Sequence, residues 1–404
     1  MTGPAILVLE DGRAFRGTSF GAAGEAFGEM VFNTGMTGYQ ETLTDPSYCR
    51  QIVAMTAPHI GNTGVNDEDP ESGRIWVSGY VIREPARVAS SWRSARTLED
   101  ELRAQDVPGI AISGTRALTR HLRERGAMRA AIAAGQPDPA ELLERVRASP
   151  PMTGADLARE VSTPAAYTVE PPPGVPVRFT VAAVDLGIKA ATPQHLARLG
   201  CRVHVLPAAS TAEQILAVSP DGAFFSNGPG DPAAAGYAVG AIRGVLGAGL
   251  SAFGICLGCQ LLGRALGLGT YKLRFGHRGV NQPVRDLRTG RVQITSHNHG
   301  FAVAPPGSGQ PPEPGNGDWR RAAAVSTRQQ PFETAFGQGM ISHLNLNDGV
   351  VEGLRLVRAP AFGVQFHPEA APGPHDAAGL FAEFCELMDR ARRPGGGGPG
   401  AAAR

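Results

Sequence analysis

A cysteine stands on a glycine-flanked turn in the middle of the chain, in Gly254-Ile255-Cys256-Leu257-Gly258. The apolar run 251–255 predicts a strand, and an apolar stretch that contains Gln260 predicts a helix directly after it. This G-x-C-x-G pattern is the thiol counterpart of the nucleophile elbow, a strained turn between strand and helix that presents the nucleophile. Unpaired N–H groups at a helix N-terminus favour a thiolate. Cys256 is therefore a candidate nucleophile, although a cysteine after a buried strand can also be a small core residue.

A candidate base and its orienting group occur in His367-Pro368-Glu369, directly after the predicted buried strand 361–366. Residues at positions i and i+2 of an extended segment point to the same side, and the proline stiffens that spacing. The imidazole can exchange a proton with a sulfur while the carboxylate fixes its tautomer. An ordinary solvated strand end could have the same sequence.

An acyl intermediate also needs donors for its oxyanion. The N–H of Leu257 directly follows the candidate nucleophile, and Gly228 offers a second N–H that no side chain shields. Gly228 lies in the turn-rich segment 227–232, which could also be no more than a tight turn.

A redox interpretation competes for the same cysteine, because Cys256-Leu257-Gly258-Cys259 is also a C-x-x-C sequence at a helix start. The tryptophan and proline usual in such motifs are absent, and Cys259 is interpreted as a helix residue lining the same pocket. The sequence has no phosphate-binding G-x-x-x-x-G-K-[ST] loop and neither an H-E-x-x-H nor a paired C-x-x-C zinc pattern. We therefore predict that this chain has no cofactor and no metal.

The pattern of elements predicts two domains. We expect a smaller mixed α/β domain over residues 1–160 and a Pro-rich linker over 161–176. The domain that carries the chemistry is expected over 177–392, and a disordered Gly/Ala tail over 393–404. After the linker, short apolar strands alternate with helices, which predicts an α/β fold with a mostly parallel sheet flanked by helices. Functional residues of such sheets gather beyond the carboxyl ends of the strands. The segment 304–318 is predicted to be a mobile surface loop.

The predicted elements are as follows. Strands are expected at 5–9, 51–56, 76–82, 178–184, 202–206, 222–226, 251–255 and 361–366, and helices at 97–105, 115–125, 139–149, 193–199, 212–218 and 237–248.

Composition narrows the class of protein. The 404 residues carry a net charge of +1, which does not indicate nucleic acid or an anionic membrane as partner. Five cysteines in so long a chain fit a reducing cytosol better than a disulfide framework. We expect neither a signal peptide nor a membrane span, and a cytoplasmic location.

Taken together, the C-terminal motifs resemble the class I glutamine amidotransferases, with the 226–232 loop, the cysteine elbow and His367-Pro368-Glu369 in the same order. Other segments narrow the resemblance to the small-chain family of carbamoyl-phosphate synthases. These segments are 32–41, 45–48 and 58–62 in the N-terminal half, and 275–279, 298–301 and 372–376 in the C-terminal half. The resemblance covers nearly the whole chain outside the 304–318 segment and the tail.

The resemblance implies a glutaminase, in which Cys256 attacks the side-chain amide of glutamine, His367 protonates the leaving ammonia and Glu369 orients His367. The residues implied to bind L-glutamine are Ser47, Gly228, Gly230, Leu257, Gln260, Asn298, Gly300 and Phe301. Ser47 would reach the site from the other domain, although Asp45-Pro46-Ser47 is also typical of a simple turn.

The resemblance also implies a partner. A large chain would use ATP, Mg, bicarbonate and the ammonia to make carbamoyl phosphate for arginine and pyrimidine synthesis, as a heterodimer or a higher oligomer of heterodimers. The glutaminase of another amidotransferase, such as anthranilate synthase, and a docking scaffold without catalysis remain alternatives. Two positions depart from the family pattern: Cys259 replaces a common histidine, and Thr192 replaces a frequent asparagine.

Overall fold

The computed structural model describes residues 3–307 and 331–392. The predicted 304–318 loop falls largely, and the 393–404 tail wholly, outside the described residues. Contacts divide the chain into two units, the first comprising 1–155 with the return segment 274–279, and the second 156–273 with 280–404. The domain boundaries expected from the sequence stay predictions.

In the first unit, a closed barrel has the strand order β1-β2-β8-β6-β4-β3-β9. Its strands are β1 (Pro4–Leu9), β2 (Ala14–Gly21), β3 (Glu25–Asn33), β4 (Gln51–Met55), β6 (Gly79–Ile82), β8 (Pro108–Ala111) and β9 (Met128–Ala134). The two-residue strands β5 (His59–Ile60) and β7 (Glu84–Pro85) pair separately. The helices are α1 (Tyr39–Thr44), α2 (Leu98–Ala104), α3 (Thr115–Arg125) and α4 (Pro139–Ala148).

The barrel corrects the sequence prediction for this half, which recognised only β1, β4, β6 and the three longer helices. The overlooked β2 has an exposed or half-buried residue at nearly every position, so it lacks the apolar run by which a strand is recognised. In β1, alternate side chains serve two cores. Ile6 and Val8 pack with α4, while Leu7 and Leu9 join the cluster that contains α3 residues.

The second unit is built on an eleven-stranded sheet, counted over the described residues. Its strands are β10 (Tyr167–Val169), β11 (Phe179–Asp185), β12 (Cys201–Pro207), β13 (Gly222–Phe225), β14 (Ser251–Ile255), β15 (Thr270–Asp286), β16 (Val292–Val303), β17 (Phe332–Thr334), β18 (Gly337–Asn345), β19 (Val351–Leu356) and β20 (Ala361–Val364). The helices are α5 (Ala158–Val161), α6 (Ala191–Arg198), α7 (Ala212–Ala217), α8 (Gly236–Gly247), α9 (Leu257–Ala265) and α10 (Gly379–Arg392).

Within the described part of this sheet, parallel pairing is confined to five neighbouring strands in the order β12-β11-β13-β14-β20. The other strands extend this sheet with antiparallel pairs, so the prediction of a mostly parallel sheet holds only for these five strands. A short strand, β10, lies within the predicted linker 161–176 and pairs with β12.

Both faces of the parallel strands are covered by helices. Ala252 on one face packs in a cluster with α8 and α9, and its neighbour Phe253 on the other face packs in a cluster with α10. The chain alternates strictly here between short buried strands and amphipathic helices, which explains why the sequence located these elements to within about two residues.

The registers bring four loops to one edge of the sheet. Val184 pairs with Phe225, Phe225 with Gly254, and Ile255 with Val364, so the carboxyl ends of these strands are level. Ligand sites of such sheets lie beyond this edge. The segments that begin there are 186–189, 226–232, the turn at Cys256 and 365–371.

Candidate active site

Cys256 lies between β14 and α9 with a φ of 53°, a backbone conformation that residues other than glycine rarely adopt. The two flanking glycines are required by close approach of the backbone. A Cβ at Gly254 would lie 2.6 Å from the carbonyl of Gly258, and one at Gly258 would lie 2.1 Å from the carbonyl oxygen of Phe225. The strained elbow predicted from the sequence is therefore present, with the sulfur at the start of α9.

The imidazole of His367 lies in the same unit and is 3% exposed. The backbone N–H of His367 donates to the carbonyl of Ser296, which ties the segment after β20 to β16. The imidazole Nδ1–H donates to Glu369 Oε1 at 2.8 Å. This contact fixes the tautomer, as the i, i+2 spacing predicted, and leaves Nε2 as the ring nitrogen that can exchange a proton.

His367 and Cys256 are electrostatically linked. Burial by itself would lower the pKa of His367, but the charge of Glu369 and hydrogen bonding to Cys256 and Glu369 outweigh it and raise this pKa to about 10. Among the described residues, no acceptor or donor completes a hydrogen bond with His367 Nε2 at full hydrogen-bond geometry. Such contacts are often long in ligand-free enzymes and tighten when substrate binds. The imidazolium is the counter-ion that a cysteine thiolate needs.

Glu369 stays ionised although it is buried. Burial would raise its pKa, whereas the charges of His367 and Lys189 and the hydrogen bond from His367 lower it. Lys189 Nζ lies 3.8 Å from Glu369 Oε1 and donates to the carbonyls of Ala370 and Ala371 at 2.8 and 2.7 Å. Sequence reasoning did not select Lys189. The available signal was a lysine a few residues after an apolar strand.

The two candidate oxyanion donors come from adjacent segments. A Cβ at Gly228 would lie 1.9 Å from the carbonyl oxygen of Leu186 and 3.1 Å from Leu257 Cδ2, so only glycine fits beside Leu257. Asn227 Nδ2 donates to the carbonyl of Gly187 at 2.9 Å and anchors this loop. Gly230 has φ of 95°, which also favours glycine.

The other predicted glutamine-binding residues of this unit lie on α9 and β16. The Cys256 Sγ lies 3.6 Å from the carbonyl oxygen of Asn298. Gln260 is buried, and its Nε2 donates to the carbonyl of Phe301 at 2.8 Å and to Gln365 Oε1 at 3.0 Å. Because both N–H groups of its side-chain amide are used, Gln260 can contact a substrate only through Oε1. Gly300 lies between Asn298 and Phe301 on β16 and is half-buried.

Ser47 belongs to the first unit. It lies buried in a 3-10 turn, Pro46–Tyr48, and its backbone N–H donates to Asp45 Oδ1 at 2.9 Å. This geometry accounts for the Asp-Pro-Ser sequence locally.

Cys259 differs sharply from Cys256. It lies in α9, and its pKa is raised well above the usual value for a thiol, mainly because it is buried. The attacking species in thiol–disulfide exchange is a thiolate. The raised pKa of Cys259 therefore argues against the redox interpretation of the C-x-x-C sequence.

Family models match both halves of the chain. Residues 7–132 match the carbamoyl-phosphate synthase small chain, CPSase domain, and residues 182–387 match the class I glutamine amidotransferases. The chain is 59% identical over 391 residues to a carbamoyl phosphate synthase small chain of Streptomyces coelicolor, covering 96% of this chain and 97% of that protein. The chain belongs to the carbamoyl-phosphate synthase small-chain family.

Other members of the family are similar over equal lengths. A small chain of Mycobacterium tuberculosis is 58% identical over 390 residues, covering 95% of this chain and 98% of that protein. One from Bifidobacterium longum is 54% identical over 405 residues, covering 97% and 95%. The match therefore includes both contact units of this small-chain family member. In the described parts of the chain, no helix is long and apolar enough to cross a membrane.

Proposed function

We propose that this chain is the glutamine-hydrolysing subunit of a carbamoyl-phosphate synthase, with Cys256, His367 and Glu369 as its catalytic triad. One observation carries the assignment of residues: a cysteine on a strained elbow lies at the same sheet edge as an imidazole that a buried carboxylate orients. Family membership supports the substrate, because the C-terminal half matches the glutamine amidotransferases.

The first half of the reaction forms a thioester. Cys256 Sγ attacks the side-chain amide carbon of L-glutamine, and the amide oxygen takes up the electron pair as an oxyanion. The N–H groups of Leu257 and Gly228 stabilise that oxyanion. The tetrahedral intermediate collapses with cleavage of the C–N bond, and the imidazolium of His367 gives its proton to the leaving nitrogen, which departs as ammonia.

The second half restores the enzyme. His367, now neutral, accepts a proton from water as the water oxygen attacks the thioester carbon. The C–S bond breaks, glutamate leaves, and the imidazolium again faces the sulfur. Glu369 holds the imidazole in one tautomer through both halves. No step requires a cofactor in this chain.

The substrate would be held chiefly by groups without fixed charge, as suits a zwitterionic amino acid. The groups proposed to hold it are the backbone at Gly228, Gly230, Leu257 and Gly300 and the side chain of Asn298. Gln260 and Phe301 complete this set.

The ammonia would be used by a large partner chain. The relatives are named as small chains of carbamoyl phosphate synthase, which implies a large chain in the same assembly. That chain would use ATP and Mg to make carbamoyl phosphate for arginine and pyrimidine synthesis. A heterodimer is the simplest assembly, and a cytoplasmic location remains a prediction from the cysteine content.

The test is Cys256→Ser, assayed in complex with the large chain. Glutamine-dependent synthesis should fall by at least roughly 10³-fold, because the hydroxyl replaces the nucleophilic sulfur. Synthesis from added ammonium salts should remain, which serves as the internal control for folding and assembly. Glutamine hydrolysis at the wild-type rate in this variant would disprove the triad.

A further inference from the structure

A second cluster of histidines lies along β16, apart from the triad. Thr295, His297 and His299 alternate along the strand, so they share one face, and all three are buried. Thr295 Oγ1 lies 2.8 Å from His297 Nε2, and His297 Nδ1 lies 3.1 Å from His299 Nε2. The chain of contacts ends at the carbonyl of Phe301, 2.9 Å from His299 Nδ1.

The outer contacts limit where the ring hydrogens can be. A carbonyl only accepts, so His299 Nδ1 carries a hydrogen. The Thr295 hydroxyl has one hydrogen and lies 2.9 Å from the carbonyl of Gln282 and 2.8 Å from His297 Nε2. When the hydroxyl donates to Gln282, His297 Nε2 donates to the hydroxyl, and in neutral rings His297 Nδ1 and His299 Nε2 then face each other with their lone pairs across 3.1 Å. This arrangement is suited to a cation, either a proton or a metal ion.

Glu352 supplies the negative charge for that cation. It lies on β19, which pairs with β16 at Val303 and Val351. Glu352 Oε1 is 3.7 Å from His297 Nδ1, and both side chains are fully buried. Asn345 Nδ2 donates to the same carboxylate oxygen at 3.1 Å. A proton on His297 Nδ1 would serve His299 but would be beyond hydrogen-bond distance of Glu352.

We propose that His297, His299 and Glu352 bind one divalent metal ion of the zinc class. Two imidazoles and a carboxylate are a usual zinc ligand set. Metal–ligand bonds of about 2.0–2.2 Å in a tetrahedral site separate the ligand atoms by roughly 3.3 Å. The observed separations of 3.1 and 3.7 Å bracket that value, and the candidate ligand atoms all lie within 4.8 Å of one another.

The outer contacts of the two histidines also suit metal binding. A metal-ligating histidine usually donates its other N–H to a nearby acceptor, which fixes the ring and its tautomer. Here His299 has the carbonyl of Phe301, and His297 has the hydroxyl of Thr295. One ion would contact all three inward atoms together.

The role of this site is structural. The sequence prediction of no metal rested on local motifs, whereas these ligands come from two strands and lack a zinc spacing. Asn298 lies between the two histidines in sequence, so its side chain leaves the strand on the opposite face. A metal behind that face would fix the strand segment without entering the proposed glutaminase reaction.

The first experiment is metal analysis of the full chain, purified without a polyhistidine tag, by inductively coupled plasma mass spectrometry. We expect about one zinc per chain. His297→Gln and Glu352→Gln should each lower this content at least tenfold, by analogy with about 10–100-fold losses for outer-shell changes. His204→Gln is the matched control, because this half-buried histidine lies on β12, outside the cluster, where its Nδ1 contacts Thr168 Oγ1 at 2.9 Å. It should retain the zinc.

A second measurement avoids the question of whether the variants fold. Wild-type protein stripped with a chelator is titrated with Co²⁺, which should give the strong visible absorption of a tetrahedral site and saturate at about one equivalent. Zinc should raise the thermal midpoint of the stripped protein. Wild-type protein without zinc and without a cobalt spectrum would overturn the proposal and assign a proton to His297. Full zinc content in both variants would also overturn it.

Discussion

Two histidines of the second unit are almost equally buried and yet differ in charge. His367 is 3% exposed and His343 is 7% exposed. The pKa of His367 is raised to about 10, whereas that of His343 is lowered to about 4. Burial disfavours the charged form at both positions. The difference shows that the partners of a buried histidine, and not its depth, decide its protonation.

The partners of the two rings differ in distance and balance. His367 contacts one carboxylate, Glu369, at hydrogen-bond distance. At His343 burial is the largest cause, and the remaining charges oppose one another, since Asp286 and Glu383 raise the pKa while Arg355 and Arg288 lower it. The Nδ1 of His343 meets a neutral partner, Ser342 Oγ, at 2.9 Å. A buried histidine therefore stays charged when a carboxylate contacts its ring directly.

The largest effect should separate the two histidines directly. His367→Asn removes the proton donor, so kcat for glutamine hydrolysis should fall by about 10²- to 10⁴-fold. His343→Asn removes an equally buried ring that is neutral, so kcat should stay close to the wild-type value while the thermal midpoint falls. Steady-state kinetics and melting curves on both variants make the measurement. Equal losses of kcat would mean that burial, and not the carboxylate, distinguishes these positions.

Lys189 is the next group that separates the two sites, because its charge lowers the pKa of Glu369, whereas the charges around His343 oppose one another. Lys189→Met should lower kcat by roughly tenfold, because the carboxylate that orients His367 loses a neighbouring positive charge. It should also lower the free energy of unfolding by about 1–3 kcal/mol, since the carbonyls of Ala370 and Ala371 lose their donor.

Arg243→Met is the control for Lys189→Met. Arg243 also donates to backbone carbonyls, those of Ala265 and Arg264, but it does so at the end of α9 and away from the triad. Its loss should leave kcat unaltered. A Lys189→Met enzyme with wild-type kcat and reduced stability would assign Lys189 a purely structural role.

The contrast between local and distant contacts also explains what the sequence could predict. Cys256 and the pair His367 and Glu369 were found because each signature lies within a few residues: the glycines force the elbow, and the i, i+2 spacing joins ring to carboxylate. Lys189 was missed because its partners Ala370 and Ala371 are 181 and 182 residues away. The His297 and Glu352 contact was missed for the same reason, since it depends on which strands are neighbours.

The fold divides in the same way. The elements from β11 to β14 were predicted well because buried parallel strands alternate with amphipathic helices. The antiparallel strands β15 to β19 were not predicted. In β15, most positions are half-buried or exposed and glycines interrupt the pattern, so an apolar run never forms. Pairing with distant strands stabilises such segments, and a single sequence does not reveal it.

The pH dependence of stability should sharpen the comparison further. A raised folded-state pKa at His367 gives stability that is complete below the unfolded value of about 6.5 and is lost as pH rises towards about 10. A lowered pKa at His343 does the reverse: stability falls as pH drops from about 6.5 to about 4, because the unfolded chain binds the proton more readily. Urea midpoints across pH should therefore lose the alkaline decline in His367→Asn and part of the acid decline in His343→Asn. Unchanged profiles in both variants would contradict this account.

The smallest effect concerns Cys256 and Cys259, which lie three residues apart at the elbow but have different surroundings. Cys256 lies beside a charged ring, whereas burial is the main influence at Cys259. Cys259→Ala should therefore leave kcat unaltered and cost about 1 kcal/mol of stability, as expected when one small buried group is lost. Alkylation kinetics should in turn detect one fast thiol at the elbow, and this thiol should disappear only in Cys256→Ser. A large loss of turnover in Cys259→Ala would instead indicate that the two thiols act as a redox pair, because only that chemistry requires both sulfurs.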